Sequence, residues 1–289
     1  MPILTRLVPA AFVVLWSSGF IASKYAMPFA EPFTFLTIRF AAVALVLVLA
    51  SAMLKASWPD RRLSLHAMIA GVLLHGAYLG PVFWAISRGM SSGISALIVS
   101  MMPILSGLLA PALVGERVSG RQWFGLLLGA AGVALVLAPK AMAGTADAHV
   151  DTVIACIIGL FGSTLGNIYQ KRFATGIDLR TGGFFQFSGA ALAMLVLAAA
   201  TENWHITWNP SVVFAMLWSV FAMSIGAISL LMLMIRQNAI SKVAAYYYLV
   251  PPVTALMAWA AFGETMNALQ MAGMGLTCAA VALVTTTRS

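Results

Sequence analysis

The sequence predicts an all-α integral membrane protein with ten transmembrane helices arranged as two inverted five-helix repeats. Three observations predict it. Hydrophobic residues make up 62% of the 289-residue chain and charged residues 8%, against about 25% charged in soluble domains, so there is almost no charge to clothe an aqueous surface. The apolar runs are about 20 residues long and lack strict alternation; that is the length of a membrane-crossing helix, whereas a barrel strand takes about 10 alternating residues. Finally, the chain repeats itself at a fixed offset.

The segments follow in order. Leu7–Tyr25 comes after the basic Arg6 and invites comparison with a secretory leader, but nine more spans and no polar secreted domain make it the first helix. Phe33–Met53 is the second, and the turn Trp58-Pro59-Asp60 leads to the third, His66–Ser87. Ile94–Val114 and Trp123–Pro139 complete a first unit, residues 1–140. The longest irregular stretch, near Lys140–Val150, divides the chain. The second unit, 150–289, holds Asp151–Phe173, Thr181–Ala200, Ser211–Ile235 (entered through Asn209-Pro210), Val243–Phe262 and Leu269–Thr286. Both units belong to a single membrane domain.

The net charge of +8 is topological rather than a nucleic-acid footprint. With the N-terminus in the cytoplasm, that side holds Arg6, Lys55, Arg61, Arg62, Arg117, Arg121, Lys171, Arg172, Arg180, Arg236, Lys242 and Arg288. The outer side holds Lys24, Arg88 and Lys140, and Arg39 sits inside the second span. This positive-inside bias puts both termini in the cytoplasm.

A shift of 148 residues lays Arg88 on Arg236, Pro103 on Pro251, Gly115-Glu116 on Gly263-Glu264, Gln122 on Gln270 and Gly125 on Gly273. Leucine and alanine pairs arise by chance in apolar helices; these do not. Five helices per unit is an odd number, so the second unit enters the membrane from the opposite side. Inverted repeats of this kind surround midplane sites in transporters.

At this point the chain resembles the drug/metabolite transporter superfamily in its ten-helix EamA-type branch. The residues that carry the resemblance are Trp16-Ser17-Ser18-Gly19, Ile38-Arg39-Phe40, Pro103 with Gly115-Glu116, and Pro251 with Gly263-Glu264. Within that branch it is similar to YddG-type exporters of aromatic amino acids. The resemblance implies a multi-pass protein of the bacterial inner membrane that exports amino acids or related metabolites. It also implies a central cavity lined mainly by helices 1, 3, 4, 6, 8 and 9, with helices 5 and 10 packed outside.

The sequence shows no G-x-x-x-x-G-K loop, no H-E-x-x-H and no Cys/His metal spacing, so no cofactor, metal or catalytic residue is expected. Cys156 and Cys278 lie in apolar runs and read as small hydrophobes. Gly93-Ile94-Ser95-Ala96-Leu97 begins like a nucleophile elbow but lacks its last glycine. No Asp or Glu lies mid-span, which favours a facilitator over carboxylate-based proton coupling. Glu116 and Glu264 read as helix-end caps.

The candidate substrate-binding residues are Trp16, Ser17, His75, Tyr78, Leu79, Ser163, Asn167, Tyr246 and Tyr247. His75, Tyr78 and Leu79 share one helix face. His75 either lines a cavity or bonds a neighbouring helix; its repeat partner is Met223. Ser17 and Ser163 either line the cavity or bond back to their own helices. Of the three successive tyrosines, Tyr246 and Tyr247 are favoured over Tyr248. Pro103 and Pro251 are candidate hinges or plain kinks: a proline frees the carbonyl four residues back, here Val99 and Tyr247, and Pro81 likewise frees Ala77. Arg39 can snorkel or pair with Glu264 or Glu31 across the outer rim, and a structural ion pair is favoured over substrate contact. Gly125, Gly129 and Gly273 promise close helix packing, between halves or between protomers.

The partners expected are a small solute and the bilayer. The substrate expectation is neutral amino acids, aromatic ones included. The runner-up is a drug or other metabolite exporter, or a sugar-nucleotide carrier, which would show cations deep in its cavity.

Overall fold

The computed structural model describes residues 3–90, 95, 98–143, 149–262 and 267–286. Gly263, Glu264 and Arg288 lie outside the described residues, as does most of Gly93–Leu97, so the expectations placed on them are not addressed. The helices are α1 (Ile3–Ala26), α2 (Pro32–Met53), α3 (Arg61–Ser87), α4 (Met102–Val114), α5 (Gly120–Ala143), α6 (Val150–Phe173), α7 (Leu179–Thr201), α8 (Pro210–Gln237) and α10 (Ala268–Thr286). Between α8 and α10 lies α9, made of Ile240–Ala245, a 3-10 turn over Tyr246–Leu249 and Val250–Phe262. Six of these, α2, α3, α6, α7, α8 and α10, are long and apolar enough to cross a membrane. Shorter apolar stretches lie in α1 (Leu7–Gly19), α4 and α5 (Gly120–Val136).

The helix starts are written in local chemistry. Asp60, Asp178 and Asn209 accept hydrogen bonds from Leu63, Arg180 and Val212 at the heads of α3, α7 and α8. Pro32 and Pro210 occupy first turns, where no N–H is needed. Gly115, at φ 71°, ends α4 in the left-handed conformation. Two starts match across the chain. Ser119 and Gln122 form a reciprocal cap at α5 (Ser119 N to Gln122 Oε1, 2.8 Å; Gln122 N to Ser119 Oγ, 3.3 Å). Asn267 and Gln270 do the same at α10 (3.1 and 2.9 Å). The Gln122–Gln270 pair of the sequence therefore has one shared task.

Two helices depart from the expected regularity. A π turn over Val72–Gly76 interrupts α3, and a longer one over Ser219–Ala227 interrupts α8. These stretches also correspond under the 148-residue shift.

Glycines let backbones meet. On α6, a Cβ at Gly162 would lie 2.6 Å from the Ala77 carbonyl carbon, and one at Gly166 2.7 Å from Leu74 N. That ridge seats α6 on α3 just beyond its π turn. Gly132 and Gly273 face each other across α5 and α10, each with the other's carbonyl oxygen within 2.9 Å of its would-be Cβ. The small-residue packing thus joins the two halves within one chain. Gly129 instead makes room for the Tyr248 ring of α9.

The two ends are tied differently. At one end the Glu116 carboxylate accepts from Ile240 N at 2.8 and 2.9 Å, capping α9. There Lys171 Nζ donates to the carbonyls of Ile235 (2.8 Å) and Asn238 (2.6 Å), and Arg172 to that of Leu113 (2.7 Å). At the other end Glu202 accepts from Phe33 N and Thr34 N at 2.8 and 2.6 Å, while Glu31 accepts from Asn203 N and His205 N at 3.1 and 2.7 Å. A single β-bridge, Ala30 to Ile206, lies beside them.

Candidate functional site

A cavity of about 50 Å³ lies between α1, α2, α3, α7 and α8. One water needs roughly 10–15 Å³ of such space, so it holds a few waters. Its wall is built helix by helix. α1 supplies Trp16 and Gly19; α2 supplies Arg39 and Phe40; α3 supplies Leu74, His75, Tyr78, Leu79, Val82, Phe83 and Ile86. α7 adds Phe187, and α8 adds Met223, Ser224 and Ile228. The α3 residues recur at helical spacing along one face, and the π turn sits where that face begins. The cavity runs from mid-molecule toward the Glu31/Glu202 end.

Aromatic rings order the wall. Trp16 lies parallel to Tyr78 (centroids 6.4 Å apart, 2°) and edge-on to Tyr247 (5.2 Å, 79°). His75 stacks on Phe187 at 4.4 Å and 4°, with Phe40 at 6.0 Å. Its Nε2 is buried with no hydrogen-bond partner, and so is Gln186 Oε1 nearby on α7. Gln186 donates instead to Gln170 Oε1 at 2.7 Å.

Of the residues singled out in the sequence, Trp16, His75, Tyr78 and Leu79 stand on this wall. The other five do not. Ser17 donates to the Val250 carbonyl at 3.3 Å, in the α1–α9 contact. Ser163 bonds back to Leu160 on its own helix at 3.0 Å. Asn167 donates to the Ser163 carbonyl at 2.8 Å and to Met102 Sδ at 3.6 Å, leaving its Oδ1 unpartnered. Tyr247 stands behind Trp16, and Tyr246 packs toward the α5–α10 cluster. Among the described residues the cavity is therefore lined by α2 and α7, which the resemblance did not name, and not by α4, α6 or α9.

The prolines also sit differently from the sequence picture. Pro103 is in the first turn of α4, and Pro251 follows the 3-10 turn, so each begins a resumed helix. The Tyr247 carbonyl is not left free; it accepts from Val250 N.

What the sequence reading missed on the wall is chiefly Arg39. It is 6% exposed and donates from Nε to Ser224 Oγ at 3.1 Å. The expected Glu31 pairing is not made, because Glu31 is spent on Asn203 and His205. A lone cation several residues inside a span was the available signal. Met223 was signalled too, as the repeat partner of His75. Among the described residues no group of three His, Cys, Asp or Glu could hold a metal. The wall can bury an apolar body and orient one polar end.

Known proteins agree with this architecture. A crystal structure superposes with a TM-score of 0.79 over 97% of both chains, at 18% sequence identity. The inner membrane transporter YedA of Escherichia coli (strain K12), itself uncharacterized, is 25% identical over 95% of this chain and 88% of its own length. The "Uncharacterized transporter YvbV" of Bacillus subtilis (strain 168) is 26% identical over 98% and 92%. A "Probable terminal-alkyne amino-acid exporter" of Streptantibioticus cattleyicolor is 23% identical over 94% and 90%. The EamA-like transporter family matches residues 7–138 and again 152–286, and with nearly the whole chain covered, this protein is a multi-pass membrane protein that belongs to the EamA-like transporter family.

Proposed function

We propose that the chain is an alternating-access carrier that exports neutral amino acids, aromatic and other large apolar ones included, and related small metabolites. In this reading all ten helical elements cross the membrane, residues 1–140 and 150–289 are inverted repeats, and both termini are cytoplasmic. The observation that carries the substrate class is the cavity wall: Trp16, Tyr78, Phe40, Phe187 and aliphatic neighbours bury an apolar side chain while a few polar groups orient the other end. The exporter name of the Streptantibioticus relative points the same way.

The matched capping boxes and π turns support the repeat. The gathering of Lys55, Arg61, Arg117, Lys171, Arg236 and Lys242 at the Glu116 end supports the orientation. A chamber of about 50 Å³ is too tight for phenylalanine, so loading requires helices to part. Pro103 and Pro251, each at a helix restart, are the proposed hinges. With no mid-span carboxylate, the solute gradient drives the cycle.

The test is counterflow in proteoliposomes with labelled phenylalanine or methionine, against a labelled nucleotide sugar and a cationic dye. Flux of the amino acid is expected, reduced in Pro103→Ala and Pro251→Ala at wild-type yield. Flux of only the last two solutes overturns the reading.

A further inference from the structure

We propose, resting on the reading of the cavity as the substrate chamber, that Arg39 is the receptor for a substrate carboxylate and that the substrate's amino group is dispensable. The preferred solutes are then monocarboxylates with a large apolar body: 2-oxo acids, 2-hydroxy acids and amino acids bearing aromatic or branched side chains.

Arg39 lies seven residues into α2, about 10 Å along the helix from its first residue. A guanidinium carries five N–H donors in a planar fork. Here Nε is engaged by the neutral Ser224 hydroxyl at 3.1 Å. The four remaining donors have no hydrogen-bond acceptor among the described residues. The cation's other neighbour is the Phe40 ring, with its centroid at 5.7 Å. Among the described residues the two acids at that end are committed to backbone amides, Glu31 to Asn203 and His205, Glu202 to Phe33 and Thr34; Glu264 lies outside the described residues.

A buried cation with no anion beside it among the described residues is strongly unfavourable, and a methionine or leucine of similar volume would pack at lower cost. A positive charge kept on a cavity wall therefore points to an anion that arrives from outside. The free edge of the guanidinium suits a planar carboxylate held by two parallel hydrogen bonds. Beyond it the wall is apolar and aromatic, with Val82, Phe83 and Ile86 on α3 facing Phe40. Among the described residues no carboxylate stands on that wall to receive an ammonium group. A monocarboxylate bound to Arg39 leaves the pair neutral; the ammonium of a zwitterion meets no counter-charge among the described wall residues, only neutral groups such as the unpartnered His75 Nε2.

The probes are 3-phenylpropanoate, phenylpyruvate, phenylalanine and phenethylamine, added to detergent-purified full-length protein and read by equilibrium binding, then by inhibition of counterflow. The expected result is that the three carboxylates bind within a few-fold of one another, and that phenethylamine binds at least about tenfold more weakly, the effect of losing a charge-assisted hydrogen-bonded pair. Arg39→Gln should erase that discrimination. Arg39→Lys, which keeps the charge without the fork, should bind the carboxylates about tenfold more weakly than wild type. Phenethylamine binding as well as the acids, or discrimination surviving in a folded Arg39→Gln protein, overturns the proposal. If Arg39→Gln does not fold, the wild-type probe series decides alone. Carboxylate-selective binding without flux would remove the carrier reading and leave the site; phenylalanine flux without carboxylate selectivity would do the reverse.

Discussion

The α5–α10 pair and the helices around the cavity use the same device, glycine at backbone contacts, to opposite ends. Between α5 and α10 the glycines close the gap and polar groups are mostly matched, Gln122 Nε2 excepted. Gln270 Nε2 donates to the Val136 carbonyl at 3.2 Å, and Tyr248 Oη donates to that of Leu126 at 2.8 Å. Around α3 the glycines of α6 seat one helix on another just as closely, yet His75 Nε2, Gln186 Oε1 and Asn167 Oδ1 are left unpartnered. Close packing therefore does not mark a site. The α3 side differs in having more unmatched polar atoms beside an open cavity, each costing about 1–3 kcal/mol while unmatched.

The largest effect that could break this contrast is on the α5–α10 side. Gly132→Leu drives a side chain into the Gly273 carbonyl and Thr277, and is expected to cost about 3 kcal/mol or more. Gly275→Leu on α10 meets open space and should cost little. Thermal midpoints and monodisperse yield in detergent check both; equal losses would mean that the pair is not held by its glycine contact.

A smaller effect sharpens the contrast at the ends. Glu116→Ala removes the carboxylate that caps α9 and should cost about 1–2 kcal/mol. Thermal unfolding measures it, and no loss would make the contact incidental. The smallest effect is at Asp178, whose carboxyl the hydrogen bonds from Arg180 hold at about 2, below the usual 3.8. A depressed carboxyl stabilises the fold above its unfolded value, and that contribution is lost as pH falls through about 2. Asp178→Asn keeps a capping oxygen and removes the charge, so at pH 7 it should cost less than about 1 kcal/mol. The difference from wild type should shrink between pH 4 and pH 2; a constant difference would show that the cap, not the charge, matters.

The sequence carried much of this contrast. Apolar run length located the helices, turn residues marked the starts of α3 and α8, and Gln122 and Gln270, legible as a repeat pair, form two identical caps whose role the repeat alone did not state. Trp16, His75, Tyr78 and Leu79 were legible because aromatic and polar groups in an apolar span must face something. Ser17 and Ser163 were not separable from their neighbours, since a hydroxyl satisfied by a nearby carbonyl looks the same in sequence as one facing a solute. Arg39 was legible as a residue; of its two expected partners, Glu31 points at the chain entering α8, and Glu264 lies outside the described residues. Periodicity could not reveal the cavity's use of α2 and α7, whose apolar residues cover nearly the whole helix surface.

The π turn at Val72–Gly76 bears on how this wall could have arisen. A π turn holds one residue more than the regular ladder needs for the same rise. The α-helical segments on either side keep their phase whether or not that residue is present. A single-codon insertion could therefore enter α3 without turning Tyr78, Val82 or Ile86 off the cavity, and its excision would straighten the helix and leave them facing inward. The same latitude exists at Ser219–Ala227 in α8, so the two interrupted helices are where single-residue length differences between related chains can accumulate without scrambling the chamber.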